Sequence, residues 1–549
     1  MKNLCKVSLA VAIATAAFSP QAQAQTVELK GLGSSAMFLQ LGLAASSNSA
    51  IGATCVWSEN TNLVWASDTQ AAALDKGSAW VAWTKGTGGS CTSPASDAKI
   101  YAYLQTDSVV GNRCLFDGTC TINFDTTAAG SSPAGLILGT ASEVALPSTV
   151  ATAMGVTPNG TAPNFAGTDI RPEDAAFATL RAINPTGNTL PCGTAINSTQ
   201  YLGLGYASGT TIKGSTPGLG SSFNVVNFTL PSSFTVKSLG AVPILVVAAS
   251  SDTTGAGITQ FSSITSTNLA KLLDGTYSSA NQIGGTGSDA IYVFEREPLS
   301  GTYNTMEYNV PNTTVNKTSQ DVGQNQLTAQ QACNTDGTPI NPLSIVTNST
   351  TNSARYRAIG TGNELKAART YNDAHNLTNN LGYGFWSVAN YSGYAGTLTN
   401  NAGNTVTAKY LNVDGVDPLG ASGTIPTTTA QINAVTLPTI INGTYPIWSM
   451  LRLVTVGNSS TSAATAATAL QGAVQQYVGT GNYPTKRPDF VPYASMTVVR
   501  SHFAPPSVTF PVSNTPNNGG SCGTEAGGDV GGVVLHTGTS TTCTTGERR

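Results

Sequence analysis

The sequence predicts an α/β protein built on more than one hydrophobic core, and three observations predict it. Strand and helix signals alternate along the chain, the pattern of layered α/β architectures. Residues 242–249 are apolar without alternation, as in a strand buried on both faces of a largely parallel sheet. The length, 549 residues, exceeds the roughly 250–300 at which a single core stops growing.

The elements follow in order. Lys2 and Lys6 flank the start of an apolar stretch over 7–18, and Ala22-Gln23-Ala24 offers small residues beyond it. That layout predicts a secretory signal peptide over 1–24, cut after Ala24, and a mature chain in the periplasm or outside the cell. From Val27 a short alternating strand runs into a glycine turn, and 35–45 reads as helix. Residues 52–165 mix Gly/Ser/Thr loops with short strands at 79–84 and 99–104. Pro172, Glu173 and Asp174 mark the first turn of a helix, where negative charge suits the dipole. Thr265 is placed to cap a helix over 268–273. Strands are expected at 290–294, ending at Glu295-Arg296, and at 382–386 and 447–456. Helices are expected at 362–368 and, Ala/Gln-rich, at 463–477. After about Pro506 the chain turns Gly-, Thr-, Ser- and Asn-rich, a flexible extension by composition.

Charge and cysteines narrow the function. Charged residues make up 10% and the net charge is −3, with no basic stripe to neutralise a phosphate backbone, which argues against nucleic acid. Nine cysteines less Cys5 of the leader leave an even set in an exported chain, which reads as disulfides. Sequence does not fix their connectivity; nearest-neighbour pairing would join Cys55 to Cys91, Cys114 to Cys120, Cys192 to Cys333, and Cys522 to Cys543. There is no Cys-x-x-Cys, and His375, His502 and His536 are the only imidazoles, so no metal site is expected.

Catalytic motifs are poor. Gly519-Gly520-Ser521-Cys522-Gly523 matches a nucleophile elbow, but that needs a strand before it and a helix after, and it lies in the low-complexity tail. Glu173/Asp174 and Glu295/Glu297 could do acid–base work, yet a helix start and a strand-end turn account for them. Three short turns that each end a strand and begin a helix say more: Gly33-Ser34-Ser35-Ala36, Gly167-Thr168-Asp169, and Arg296 through Ser300-Gly301-Thr302. Free N–H groups at a helix start, with hydroxyls beside them, make an anion cradle. Arg296 adds a planar fork of donors. Asp169 only accepts, so it would favour an anion that still carries a proton, hydrogen phosphate over sulfate.

Together and in order these pieces resemble the phosphate-binding proteins of bacterial phosphate ABC transporters. Gly31-Leu32-Gly33-Ser34-Ser35-Ala36 is similar to that family's opening turn, and Thr168-Asp169 to its Ser-Asp turn. Arg296, Ser300, Gly301 and Thr302 match its Arg-x-x-x-Ser-Gly-Thr turn with the same spacing. Gly382-Tyr383-Gly384-Phe385, Thr444-Tyr445-Pro446-Ile447 and Asp489-Phe490-Val491-Pro492-Tyr493 resemble later family segments. The resemblance covers scattered blocks from about 28 to 505. It implies a two-lobed periplasmic-binding-protein-like fold with mixed sheets flanked by helices, insertions and a flexible C-terminal tail. The implied lobes are 25–247, with an insertion at about 52–165, and 248–446, with 447–505 returning to the first and 506–549 as the tail. Carried over residue by residue, Ser35, the Ala36 N–H and Asp169 would bind from the first lobe. Arg296, Ser300, Gly301 and Thr302 would bind from the second.

The chain also departs from the family pattern. The family's second serine turn has no clean counterpart, Ser108 being the best candidate. The acid two residues after the family's arginine is Pro298 here. The leading expectation is capture of an oxyanion, most plausibly phosphate, for uptake or sensing, without catalysis or cofactor and with an ABC-transporter membrane component as partner. An adhesin on the same scaffold is the alternative, and it would leave the three turns apart. A secreted phosphatase or esterase is third and needs His375 beside an acid and a hydroxyl.

Overall fold

In the computed structural model the described residues are 25–172, less 48–49, 61–62, 68–76 and 134–137; 175; 228–311, less 229, 274–275 and 297–298; and 345–500, less 349–352, 359, 387–395, 421–425, 427 and 481–489. Short strand pieces at 181–182, 195–196, 205–206, 329–330 and 533–535 complete them. The predicted leader, Glu173/Asp174, Glu297, Pro298, the Gly519–Gly523 motif, most of the tail, His502, His536 and the last four cysteines lie outside the described residues.

The first half is built on strands β1 (Thr26–Ser34), β2 (Cys55–Glu59), β3 (Ala79–Trp83), β4 (Lys99–Thr106) and β5 (Phe165–Thr168). Helix α1 (Phe38–Ser47) follows β1 through a 3-10 turn, and α2 (Ser108–Asp117) follows β4. β4 shows why the layer is buried on both sides. Tyr101 and Tyr103 enter the core beneath α1, while Ile100, Ala102 and Leu104 enter a second core with Trp57, Trp83 and Phe124, as a period of two requires. β1 runs parallel to β4 and to β5, with Ser34 opposite Thr106 and Gly33 opposite Gly167. Three parallel strands therefore end side by side.

β6 (Phe234–Ser250) crosses from one half to the other. The predicted buried strand is there and longer, but the expectation that it runs in parallel register is corrected. It is antiparallel to every partner. Burial on both faces makes a strand apolar throughout whichever way its neighbours run, so composition could not reveal direction. At Ser238/Gly240 the register slips, and Gln471 and Gln475 donate to the carbonyls of Ser238 (2.6 Å) and Leu239 (2.8 Å) at that bulge.

The second half holds α3 (Ser266–Leu273), β7 (Tyr292–Arg296), α4 (Gly301–Asn309), β8 (Ile345–Asn348), β9 (Ser353–Ala358), α5 (Thr361–Thr370), β10 (Asn379–Phe385) and β11 (Thr405–Val413). Thr265 caps α3 as predicted, its Oγ1 accepting from the Asn268 N–H at 3.1 Å, and Leu269, Leu272 and Leu273 bury the apolar stripe. β7 is parallel to both β9 and β10, with Arg296 opposite Ala358. β12 (Trp448–Val456) then returns to the first half, where α6 (Ser462–Thr480) packs.

The result is a mixed α/β architecture on one large sheet, ordered β8-β9-β7-β10-β6-β12-β5-β1-β4-β3-β2 along its main path. Cys55–Cys91 and Cys114–Cys120 are disulfide-bonded, two of the four expected pairs. Among the described residues no helix is long and apolar enough to cross a membrane.

Candidate functional site

The carboxyl ends of parallel strands are where an open α/β sheet offers helix N-termini and loops to a ligand. This sheet has two such sets, β1, β4 and β5 in one half and β7, β9 and β10 in the other. The predicted turns lie on these ends.

In the first half, Ser34 ends β1 and its Oγ accepts from the Ala36 N–H at 3.2 Å, so that predicted donor is engaged within its own turn. Ser35 heads the 3-10 turn and is half-buried. The Ser34 carbonyl accepts from the Tyr103 hydroxyl at 2.8 Å. Burial holds that phenol well above its ordinary pKa, and the nearby carboxylates of Asp169 and Asp107 add to the effect.

Ser108 begins α2 and is 1% exposed. Its hydroxyl donates to Asp169 Oδ1, and the Asp169 N–H donates back to Ser108 Oγ at 3.2 Å. Thr168 ties the same corner, its Oγ1 donating to the Ile170 carbonyl at 2.7 Å. Burial pushes the Asp169 carboxyl pKa up; the Ser108 hydroxyl, a backbone N–H, and the charges of Arg296 and Arg452 pull it part of the way back.

In the second half, Arg296 ends β7 and is 1% exposed. Its Nη1 donates to Thr361 Oγ1 at 2.5 Å, at the start of α5. Its Nη2 meets Asp107 Oδ1 at 2.7 Å. Asp107 belongs to the first half, one residue before α2. Ser300 caps α4 by accepting from the Tyr303 N–H at 3.4 Å, and Thr302 is buried in the first turn. Gly301 lies so close to the other half that a Cβ there would fall on Asp169 Oδ1 and Ser108 Oγ. The backbone closes the contact, with the Val109 N–H donating to the Leu299 carbonyl at 3.2 Å. β12 adds Ser449, which donates to the Asp169 carbonyl at 2.7 Å and accepts from Thr305 at 3.3 Å.

The two serine-headed helices share one device. Asn112 donates to the Ser108 carbonyl and Asn304 to the Ser300 carbonyl, each at 2.8 Å and each four residues on. The side-chain amide fixes the geometry of the helix start in both halves.

Ser108, Asp169, Arg296 and Gly301 thus come together. Ser300 and Thr302 flank them, and Ser35 and Ala36 occupy the neighbouring strand end. Asp107, Thr361 and Arg452 were not foreseen. Thr361 follows the same strand-end logic as the predicted turns. Arg452 is the lone charge in the strand Trp448–Val456, 2% exposed, with Nη1 on the Met450 carbonyl at 2.9 Å. His375 lies on the surface, its Nδ1 3.5 Å from Asp373.

Among solved structures the chain is similar to an ABC-type phosphate transport receptor from Vibrio cholerae, at 14% identity and a TM-score of 0.27 over 46% of this chain and 73% of that one. A phosphate-binding protein from Stenotrophomonas maltophilia is similar at 14% identity and 0.29, over 71% and 83%. The periplasmic phosphate-binding protein PfluDING, bound with phosphate, is similar at 13% and 0.29 over the same shares. No protein-family model matches the chain, and no curated protein does.

Proposed function

We propose that the chain is an exported, non-catalytic solute-binding protein that captures an oxyanion, phosphate first, between the two halves of its sheet. The observation that carries this reading is the contact of Gly301 with the Asp169 carboxylate and the Ser108 hydroxyl. Strand-end turns more than a hundred residues apart in sequence meet at one point, with a buried arginine beside them. An adhesin that had abandoned the site would have no need of that convergence. The order and spacing of the turns, and their resemblance to phosphate-binding proteins, support the same reading.

In this reading Ser35, Ala36, Ser108 and Asp169 serve from the first half, and Arg296, Ser300, Gly301 and Thr302 from the second. The lobes are 25–247 with 447–505, and 248–446. β6 and β12 are the crossing strands about which they would hinge. Residues 1–24 are the export leader, and a membrane component of an ABC transporter is the partner that takes the captured ion.

Isothermal titration of phosphate-stripped protein with phosphate, then sulfate, tests the reading. Tight phosphate binding in the wild type that disappears in Arg296→Ala supports it. Silence of the wild type toward both anions overturns it and brings the adhesin forward.

A further inference from the structure

Helix α4 meets the first half along one of its faces. Gly301 and Thr305 stand one helical turn apart and so lie one above the other. Gly301 rests against the Asp169 carboxylate and the Ser108 hydroxyl, and the Thr305 hydroxyl donates to Ser449 Oγ at 3.3 Å. Ser449 is the second residue of the returning strand β12, opposite Val242 of β6, and it donates its own proton to the Asp169 carbonyl at 2.7 Å. One helix of the second half therefore reaches Asp169 twice, at the side chain directly and at the main chain through Ser449.

All three residues are closed off from water, with Thr305 0% exposed, Ser449 1% and Asp169 2%. A serine hydroxyl has one proton, and Ser449 gives it to Asp169, so it meets Thr305 as an acceptor. The chain thus runs one way, from Thr305 through Ser449 to Asp169, and it carries no charge. Removing the Thr305 hydroxyl leaves the bond from Ser449 to Asp169 in place. Removing the Ser449 hydroxyl takes a partner from a buried donor and a buried acceptor at once, which is the larger loss.

Resting on the function proposed above, we infer that Ser449 is a positioning residue of the oxyanion site. Its hydroxyl fixes the Asp169 main chain and, by accepting from Thr305, ties that placement to the approach of α4. The Thr305–Ser449 bond spans the two lobes of that reading, so it adds to affinity in the measure that it forms on closure. The turns at Asp169 and Ser300 are set together by a residue that belongs to neither.

The test is isothermal titration of the full chain with phosphate, with the thermal melting of each variant recorded. Thr305→Val keeps the branched shape and loses the hydroxyl, Thr305→Ser keeps the hydroxyl, and Ser449→Ala removes the middle of the chain. Phosphate affinity is expected to fall by about threefold in Thr305→Val and by about tenfold or more in Ser449→Ala. It should stay near the wild-type value in Thr305→Ser, and adding Thr305→Val to Ser449→Ala should cost nothing further. Wild-type affinity in both Thr305→Val and Ser449→Ala overturns the inference and leaves the proposed function standing. Equal losses in Thr305→Val and Thr305→Ser, which would make the effect one of packing, do the same, as do additive losses in the double variant. If Ser449→Ala does not fold, the comparison of Thr305→Val with Thr305→Ser decides. Silence of the wild type toward phosphate overturns both.

Discussion

Asp107 and Arg296 lie 189 residues apart in sequence and 2.7 Å apart in space, and their ion pair joins the two halves of the sheet. Both are nearly excluded from water, so removing either partner strands a buried charge, at about 3–5 kcal/mol. Arg296→Ala and Asp107→Ala should each lower the unfolding free energy from urea titration by that order, and the double variant should cost clearly less than the sum. Additive losses in the double-mutant cycle would mean the two charges are stabilised independently.

Gly301 makes a close contact between the halves. A methyl group there has no room against the Asp169 carboxylate and the Ser108 hydroxyl, and overpacking of this kind costs about 1–3 kcal/mol. Because the clash arises only when the halves meet, Gly301→Ala should leave each half folded and shift the molecule toward an open form. Phosphate affinity should fall by about tenfold or more, with a larger radius of gyration in solution scattering. An unchanged radius together with unchanged affinity would show that the contact does not govern closure.

The site was legible where its signal is local. A strand end, a glycine and a hydroxyl at a helix start are neighbours in sequence, so the turns around Ser35, Asp169 and Ser300 could be read one by one. Thr265 as the cap of the helix after it was readable for the same reason. Asp107 and Arg452 act through partners far along the chain, and no window of sequence holds both members of either relationship. The direction of β6 was hidden for a different reason. Its apolar run reports burial on two faces, and that is the same for parallel and antiparallel neighbours. The pairings Cys55–Cys91 and Cys114–Cys120 were within reach because each joins neighbours along the chain.

Lys30 gives a stability prediction independent of ligand. It is 2% exposed, and its Nζ donates to the carbonyls of Thr161 (2.5 Å) and Met154 (3.1 Å). Those bonds suit the ammonium, but burial outweighs them and lowers its pKa from 10.5 to about 7. Between these values the unfolded chain binds the proton that the folded chain has released. Stability should therefore rise with pH from about 7 toward 10, by up to ~1.4 kcal/mol per unit. Tyr101 opposes this only above its ordinary value of 10.0, since burial moves it up to about 12. Urea titrations across that window should show the rise in wild type and a clearly smaller one in Lys30→Met, where Lys409, also lowered by burial, still contributes. A rise that is undiminished in the variant would assign it to other groups.

Under the proposed function Asp169 would link stability to selectivity. Its carboxyl pKa is raised above 3.8, chiefly by burial, so the folded chain keeps a proton that the unfolded chain has lost. Stability from this group therefore falls as pH rises from 3.8 through the raised value, and the cost persists at neutral pH. Asp169→Asn removes the titration while an amide oxygen still accepts from Ser108. Its melting temperature at neutral pH should accordingly match or exceed that of the wild type. Ligand choice should move the other way. A carboxylate accepts the proton of hydrogen phosphate and repels an anion without one, whereas an amide nitrogen can donate to sulfate. The phosphate-to-sulfate affinity ratio should thus fall by about tenfold or more in Asp169→Asn. A ratio that does not move, in a variant that still binds phosphate, would remove Asp169 from the ligand's immediate surroundings and leave it the role of fixing Ser108 at the head of its helix.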